Sequence, residues 1–176
     1  MNKKTITYYL TLSQFFPSNH PRAGQPTNFR SAFLNAQMCA RCQQPSKGMC
    51  MHECVGGFLK KHTIRANYDF WARRFEKIYA GDAVLSVREW VDKPYGKGSS
   101  QREIALLTRD DGIGLQRLTV VGTSIAHHNL FVDGVWVPRF DLAMNDGLTA
   151  PDWRNWFFTY KADGPLGVIQ FTKFRY

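Results

Sequence analysis

Three things are scarce in this chain, and each scarcity excludes something. Long apolar runs are missing: nothing in the 176 residues approaches the ~18–20 consecutive apolar residues that a membrane-spanning helix needs. The opening segment carries Lys3 and Lys4 but passes at once into Ile6-Thr7-Tyr8-Tyr9-Leu10-Thr11-Leu12, too short and too polar for a secretory signal. The chain therefore reads as cytoplasmic, with no membrane partner. Acid is scarce at one end only. Residues 1–66 hold nine Lys and Arg against a single acid, Glu53, whereas residues 67–176 hold fourteen basic and thirteen acidic residues. A net charge of +9 spread so unevenly suits a surface that faces a polyanion. Cysteine is confined to four residues between 39 and 54, and in a reducing compartment these do not form a disulfide framework. There is no internal repeat and no domain linker, so residues 1–176 read as one domain.

What is present is enough for a core: 44% hydrophobic and 14% aromatic residues exclude disorder as the main state. Residues 5–13 and 166–176 alternate and read as strands; 83–90, 101–109 and 115–121 read as strands as well. Asp133-Gly134 between two short apolar runs is a two-residue hairpin signal. Residues 67–80 form the clearest helix: Asn67 caps its start, Trp71, Phe75 and Ile78 share one face, and Gly81 ends it. Shorter helices are expected over 27–37, over 138–145, and after Thr149, where Asp152 completes a capping pair. Helices between blocks of short, hairpin-linked strands mean α+β, with the sheet curling into a small barrel.

Two stretches carry chemistry. The first is Gly56-Gly57-Phe58-Leu59-Lys60-Lys61-His62-Thr63-Ile64-Arg65; the second is Leu142-Ala143-Met144-Asn145-Asp146-Gly147-Leu148-Thr149. Read alone, the first is a solvated basic strand end. Their order changes the reading. Lys-x-x-Thr-x-Arg followed, after a β-rich middle, by Ala-x-x-acid-Gly resembles the ASCH branch of the PUA-like superfamily. The run His62-Thr63-Ile64-Arg65-Ala66-Asn67-Tyr68, with Leu85-Ser86-Val87-Arg88-Glu89-Trp90 and Lys93-Pro94-Tyr95, is similar to an uncharacterised bacterial subgroup. The resemblance covers about 60–176, with 3–13 as a partner strand. It implies a PUA-like small β-barrel with flanking helices that binds RNA or a nucleoside or nucleotide.

One branch of that family hydrolyses the amide of N(4)-acetylcytidine, and its catalytic lysine, threonine and glutamate correspond to Lys60, Thr63 and Asp146. The physical logic holds: a threonine hydroxyl needs a base, a partly buried lysine can be one, and a carboxylate can relay a proton to the departing amine. Asp is one methylene shorter than Glu, however, and residues i and i+3 of an ideal strand point to opposite faces, so the chain must turn between Lys60 and Thr63. The expectation is that Lys60, Thr63, Arg65 and Asp146 line one concavity, and that replacing Lys60 removes ligand binding while leaving stability nearly intact.

Lys60, Lys61, Arg65, Arg88, Lys93 and Tyr95 form the ligand-binding set. Arginine offers a planar fork to phosphate and tyrosine a stacking face, and residues 90–100 read as a basic loop able to close over a base. Of His127 and His128, one is expected in the core and one outside. Cys39-x2-Cys42 and Cys50-x3-Cys54 have the paired arrangement of a structural zinc site, in an insertion over about 38–57 that the family likeness does not include; no cofactor is otherwise required. The leading reading is an RNA- or nucleotide-binding module with a basic cleft. The alternative is an amidohydrolase acting on N-acylated cytidine-type nucleosides through Lys60, Thr63 and Asp146.

Overall fold

In the computed structural model, residues 5–39, 58–91, 97–122, 124–160 and 163–176 are described. Their elements run β1 (Ile6–Leu12), α1 (Phe29–Met38), β2 (His62–Arg65), α2 (Tyr68–Tyr79), β3 (Ala83–Trp90), β4 (Gln101–Leu107), β5 (Gly114–Val121), β6 (Asn129–Val132), β7 (Val135–Trp136), α3 (Arg139–Asn145), α4 (Ala150–Trp156) and β8 (Leu166–Gln170). The fold is α+β. Two sheets form: β1-β3-β4, in which β1 lies parallel to β3, and an antiparallel sheet in the order β2-β8-β5-β6-β7. Among the described residues no ring of strand pairings closes. β1 and β2 are edge strands of different sheets, and a side chain reaches across: Arg65 Nη2 donates to the Thr11 carbonyl at 2.7 Å.

α2 joins the sheets by packing on β3 of one and on β5 and β8 of the other. It begins where expected, because Asn67 takes a left-handed φ of 60° and its side chain accepts from the Phe70 amide at 3.0 Å. Trp71, Phe75 and Ile78 face inward. β8 is buried along its whole length, and Gly167 leaves the room in which Leu115 and Trp71 approach it. Phe33, Leu85, Leu118, Trp153, Val168 and Phe171 belong to the large core cluster among the described residues. No helix among the described residues is long and apolar enough to cross a membrane.

The departures from the sequence reading have local causes. α1 starts at Phe29, after Thr27 rather than on it, although the Thr27 hydroxyl still accepts from the Phe29 amide. The last strand ends at Gln170 instead of running to 176: the Phe174 amide turns back onto the Thr172 hydroxyl, and Phe171 and Phe174 are buried by the turn. His127 and His128 are both exposed, held on a turn by Ser124, so neither is a core histidine.

A cleft at the seam between the sheets

The outer edges of β1 and β2, which pair with no further strand among the described residues, border a cleft of about 820 Å³. Thr11, Leu12 and Ser13 line it from one side, and Thr63, Ile64 and Arg65 from the other. Lys60 and Asp146 lie at its floor, and Phe15, Phe16, Phe29, Trp90, Trp156 and Phe157 supply aromatic walls. The walls are held from outside. The 14–28 loop is tied to α4 because His20 Nε2 bonds the Asp152 carbonyl at 3.0 Å and Arg22 Nη1 donates to the Asp152 carboxylate at 2.8 Å. Asp152 is itself fixed in place, its amide donating to the capping Thr149 hydroxyl at 3.2 Å.

The floor is a crossing of two irregular segments. Lys60 and Asp146 form an isolated antiparallel bridge, and the Lys61 amide donates to the Asn145 carbonyl at 2.7 Å. Asp146 ends α3, and Gly147 follows at φ +78°, where a Cβ would come within 3.1 Å of the Lys60 Cβ. That close approach lets the Lys60 stem cross the end of α3. Its ammonium donates to the Asp146 carboxylate and, at 2.8 Å, to the Asp146 backbone carbonyl, and it sits 3.8 Å from the centre of the Phe29 ring. A cation here also complements the carbonyl end of α3.

Both members of the pair are out of water, Lys60 at 1% exposure and Asp146 at 4%. Burial is the main influence on each: it lowers the lysine's pKa below its ordinary value and raises the aspartate's, against the attraction between the two. Arg65 pushes both pKa values down. The Trp153 indole N–H is near enough to favour the carboxylate, yet it makes no well-aligned hydrogen bond among the described residues. Desolvation thus draws the ion pair toward its neutral form, amine beside carboxylic acid.

Thr63 lines the same cleft and its hydroxyl has no hydrogen-bond partner among the described residues. The obstacle of opposite strand faces does not arise, since β2 begins only at His62 and Lys60 belongs to the bridge before it. So Lys60, Thr63, Arg65 and Asp146 are brought together, although eighty residues of chain intervene. Other members of the ligand-binding set are elsewhere. Lys61 points away from the cleft and is 2% exposed, its ammonium 4.6 Å from the Phe174 ring centre, which leaves it unable to meet a surface phosphate. Lys60 is likewise no surface cation. Arg88 lies over the Tyr9 ring and donates to the Ser86 hydroxyl; it does not line the cleft. Lys93 and Tyr95 fall outside the described residues, as do Cys42, Cys50 and Cys54. Cys39 is described, at the end of α1. Among the described residues no group of three or more His, Cys, Asp or Glu is placed to hold a metal ion.

Several site residues escape sequence reasoning. The aromatic walls come from four separate segments; the Phe15-Phe16 pair beside Pro17 is their most legible trace. Behind the floor, His62 Nε2 and the Tyr176 hydroxyl lie 2.7 Å apart, and Asn145 Nδ2 donates to the same hydroxyl at 3.1 Å. Burial, with Lys60 and Lys61 nearby, holds His62 well below the usual histidine pKa. This network clamps Asn145, and through it the start of Asp146, to β2. Comparison with known proteins returned no matching family model, no matching curated protein and no matching solved structure.

Proposed function

We propose that the cleft binds a nucleobase, either of a nucleoside or nucleotide or of one unstacked residue in single-stranded RNA, and that the chain is a relative of the PUA-like ASCH proteins whose barrel is joined at the β1–β2 seam by Arg65. The observation that carries this reading is the make-up of the cleft: aromatic walls around a few convergent polar groups, in a volume within the ~300–1,000 Å³ of small-molecule sites. A groove built for an RNA backbone would instead present exposed cations, and here Lys60 is buried against Asp146. Flat rings suit a base, and Arg65 beside them suits a phosphate.

The second reading, amide hydrolysis on an N-acylated cytidine-type nucleoside, is favoured by one arrangement. In its neutral form the Lys60–Asp146 pair offers both a base and an acid in the cleft that Thr63 also lines. Lys60 takes the Thr63 proton as its oxygen attacks the acyl carbon, Asp146 gives its proton to the leaving exocyclic amine, and water then cleaves the acyl ester.

Trp90 and Trp156 line the cleft and make it visible by fluorescence. Titration with cytidine, N(4)-acetylcytidine and a short single-stranded RNA should quench the emission saturably. No response to any of the three retires the binding reading. Release of acetate from N(4)-acetylcytidine, abolished by Thr63→Val, selects the enzyme; quenching without acetate selects the binding module.

A further inference from the structure

A second recess, of about 500 Å³, opens between α3 and the segment from Pro151 to Phe158. It is bordered by Arg139, Phe140, Arg154, Asn155 and Phe158 as well as Pro151, none of which lines the seam cleft. Phe140 is 50% exposed and Phe158 56%. Neither guanidinium has a carboxylate within ion-pair distance among the described residues. The Arg139 Nε is buried and without a hydrogen-bond partner, although its Nη2 reaches the His128 carbonyl at 3.4 Å. His127 organises the other wall: its ring meets Phe158 edge-on at 5.6 Å and its Nε2 lies 3.4 Å from Arg154 Nη2.

Exposed rings beside unneutralised guanidiniums form a combination that single-stranded nucleic acid satisfies, with a base on the ring and a phosphate on the fork. The recess is compact, the size of a nucleotide, whereas an amphipathic acidic helix needs an extended apolar groove. We propose that this recess is a second nucleotide subsite, taking a base against Phe140 or Phe158 and a phosphate between Arg139 and Arg154. It extends the cleft reading from one base to a strand and rests on that reading for the class of ligand.

The test uses fluorescein-labelled oligouridylate with the full-length protein, Arg154→Gln and Phe158→Ala. Both side chains are exposed, so melting temperatures should match wild type. Each variant should bind the oligonucleotide roughly tenfold more weakly, the stacking variant at every salt concentration. Arg154→Gln should also make the salt dependence shallower by about one counterion. Nucleoside quenching in the cleft should be unchanged in both. Wild-type affinity in both variants overturns the subsite, as does the absence of oligouridylate binding by wild type at low salt. Oligoglutamate binding more tightly than oligouridylate and losing affinity in Phe158→Ala also overturns it, in favour of an acidic protein partner. If wild type shows no nucleoside quenching yet binds oligouridylate in a Phe158-dependent way, the cleft reading fails and the subsite stands.

Discussion

Asp146 and Glu89 are almost equally buried, at 4% and 5% exposure, and each faces a cation, but the two ion pairs behave differently. Glu89 on β3 is held by Arg102 of β4, whose Nε donates at 3.1 Å, and by Arg30 of α1 at 3.5 Å. Both guanidinium side chains are about half exposed, so their charge keeps its hydration, and arginine does not give up its proton. Asp146 faces a lysine as dry as itself. There the cost of desolvation falls on both partners, and a group that can neutralise is pushed to do so. One pair straps a helix and two strands together. In the other, burial opposes the charge of both partners at the bottom of a cleft. Which cation is supplied, and whether it reaches water, separates the two pairs.

The sharpest way to break this comparison is to remove one cation from each pair. Lys60→Met should cost about 3–5 kcal/mol, because a buried carboxylate is left without its partner. The double variant Lys60→Met/Asp146→Leu should recover most of that loss while still failing to bind ligand. Urea denaturation measures both. This reverses the expectation from sequence that Lys60 can be replaced with stability nearly intact, and the reason is burial. A single variant as stable as wild type would mean that the floor is no more demanding than the rim.

Acid should act behind the floor. His62 has its folded pKa depressed, so the unfolded chain takes up the proton first. Its contribution is complete above the unfolded value of about 6.5 and is lost as pH falls toward the folded value, at about 1.4 kcal/mol per pH unit. Asp146, shifted upward, has the opposite sign: its contribution is complete below the unfolded carboxylate value and is lost as pH rises through the folded one. Denaturation midpoints from about pH 7 to about pH 5 should show the His62 slope in wild type and lose it in His62→Gln. Asp146→Asn should remove the opposing slope. Identical profiles for wild type and His62→Gln would mean that the imidazole is solvated.

The smallest effect belongs to the rim. Arg102→Ala leaves Arg30 on Glu89 and takes away a half-exposed guanidinium, so it should cost under about 1 kcal/mol and shrink further in salt. A loss as large as that of Lys60→Met would erase the distinction between the pairs.

Much of this was legible one segment at a time. Asn67, the Trp71/Phe75/Ile78 stripe and Gly81 declare α2 because a helix repeats every 3.6 residues and its ends need caps. Asp133-Gly134 declares its hairpin for a similarly local reason, the positive φ at both residues. Lys60, Thr63, Arg65 and Asp146 were singled out by motif order, and the cleft does contain them. Their surroundings were not legible. Alternation marks β1 as a strand, but nothing in it says that its partner is β3, that the pairing is parallel, or that its other edge stays open against β2. Those are long-range choices made by the packing of α2 across both sheets.

The residue sequence by itself determined the α+β class, most helix and strand positions, and the identity of the polar groups on the cleft floor, because these depend on local periodicity, caps and short motifs. Tertiary structure alone decided that Lys60 is a buried partner of Asp146 while Lys61, its neighbour, turns away to Phe174. It also decided that rings from four segments wall one cavity, and that Arg88 stays out of it. The physical reason is that burial belongs to the assembled surface: whether a lysine is a solvated charge or a buried partner depends on residues more than eighty positions away, which no local pattern contains.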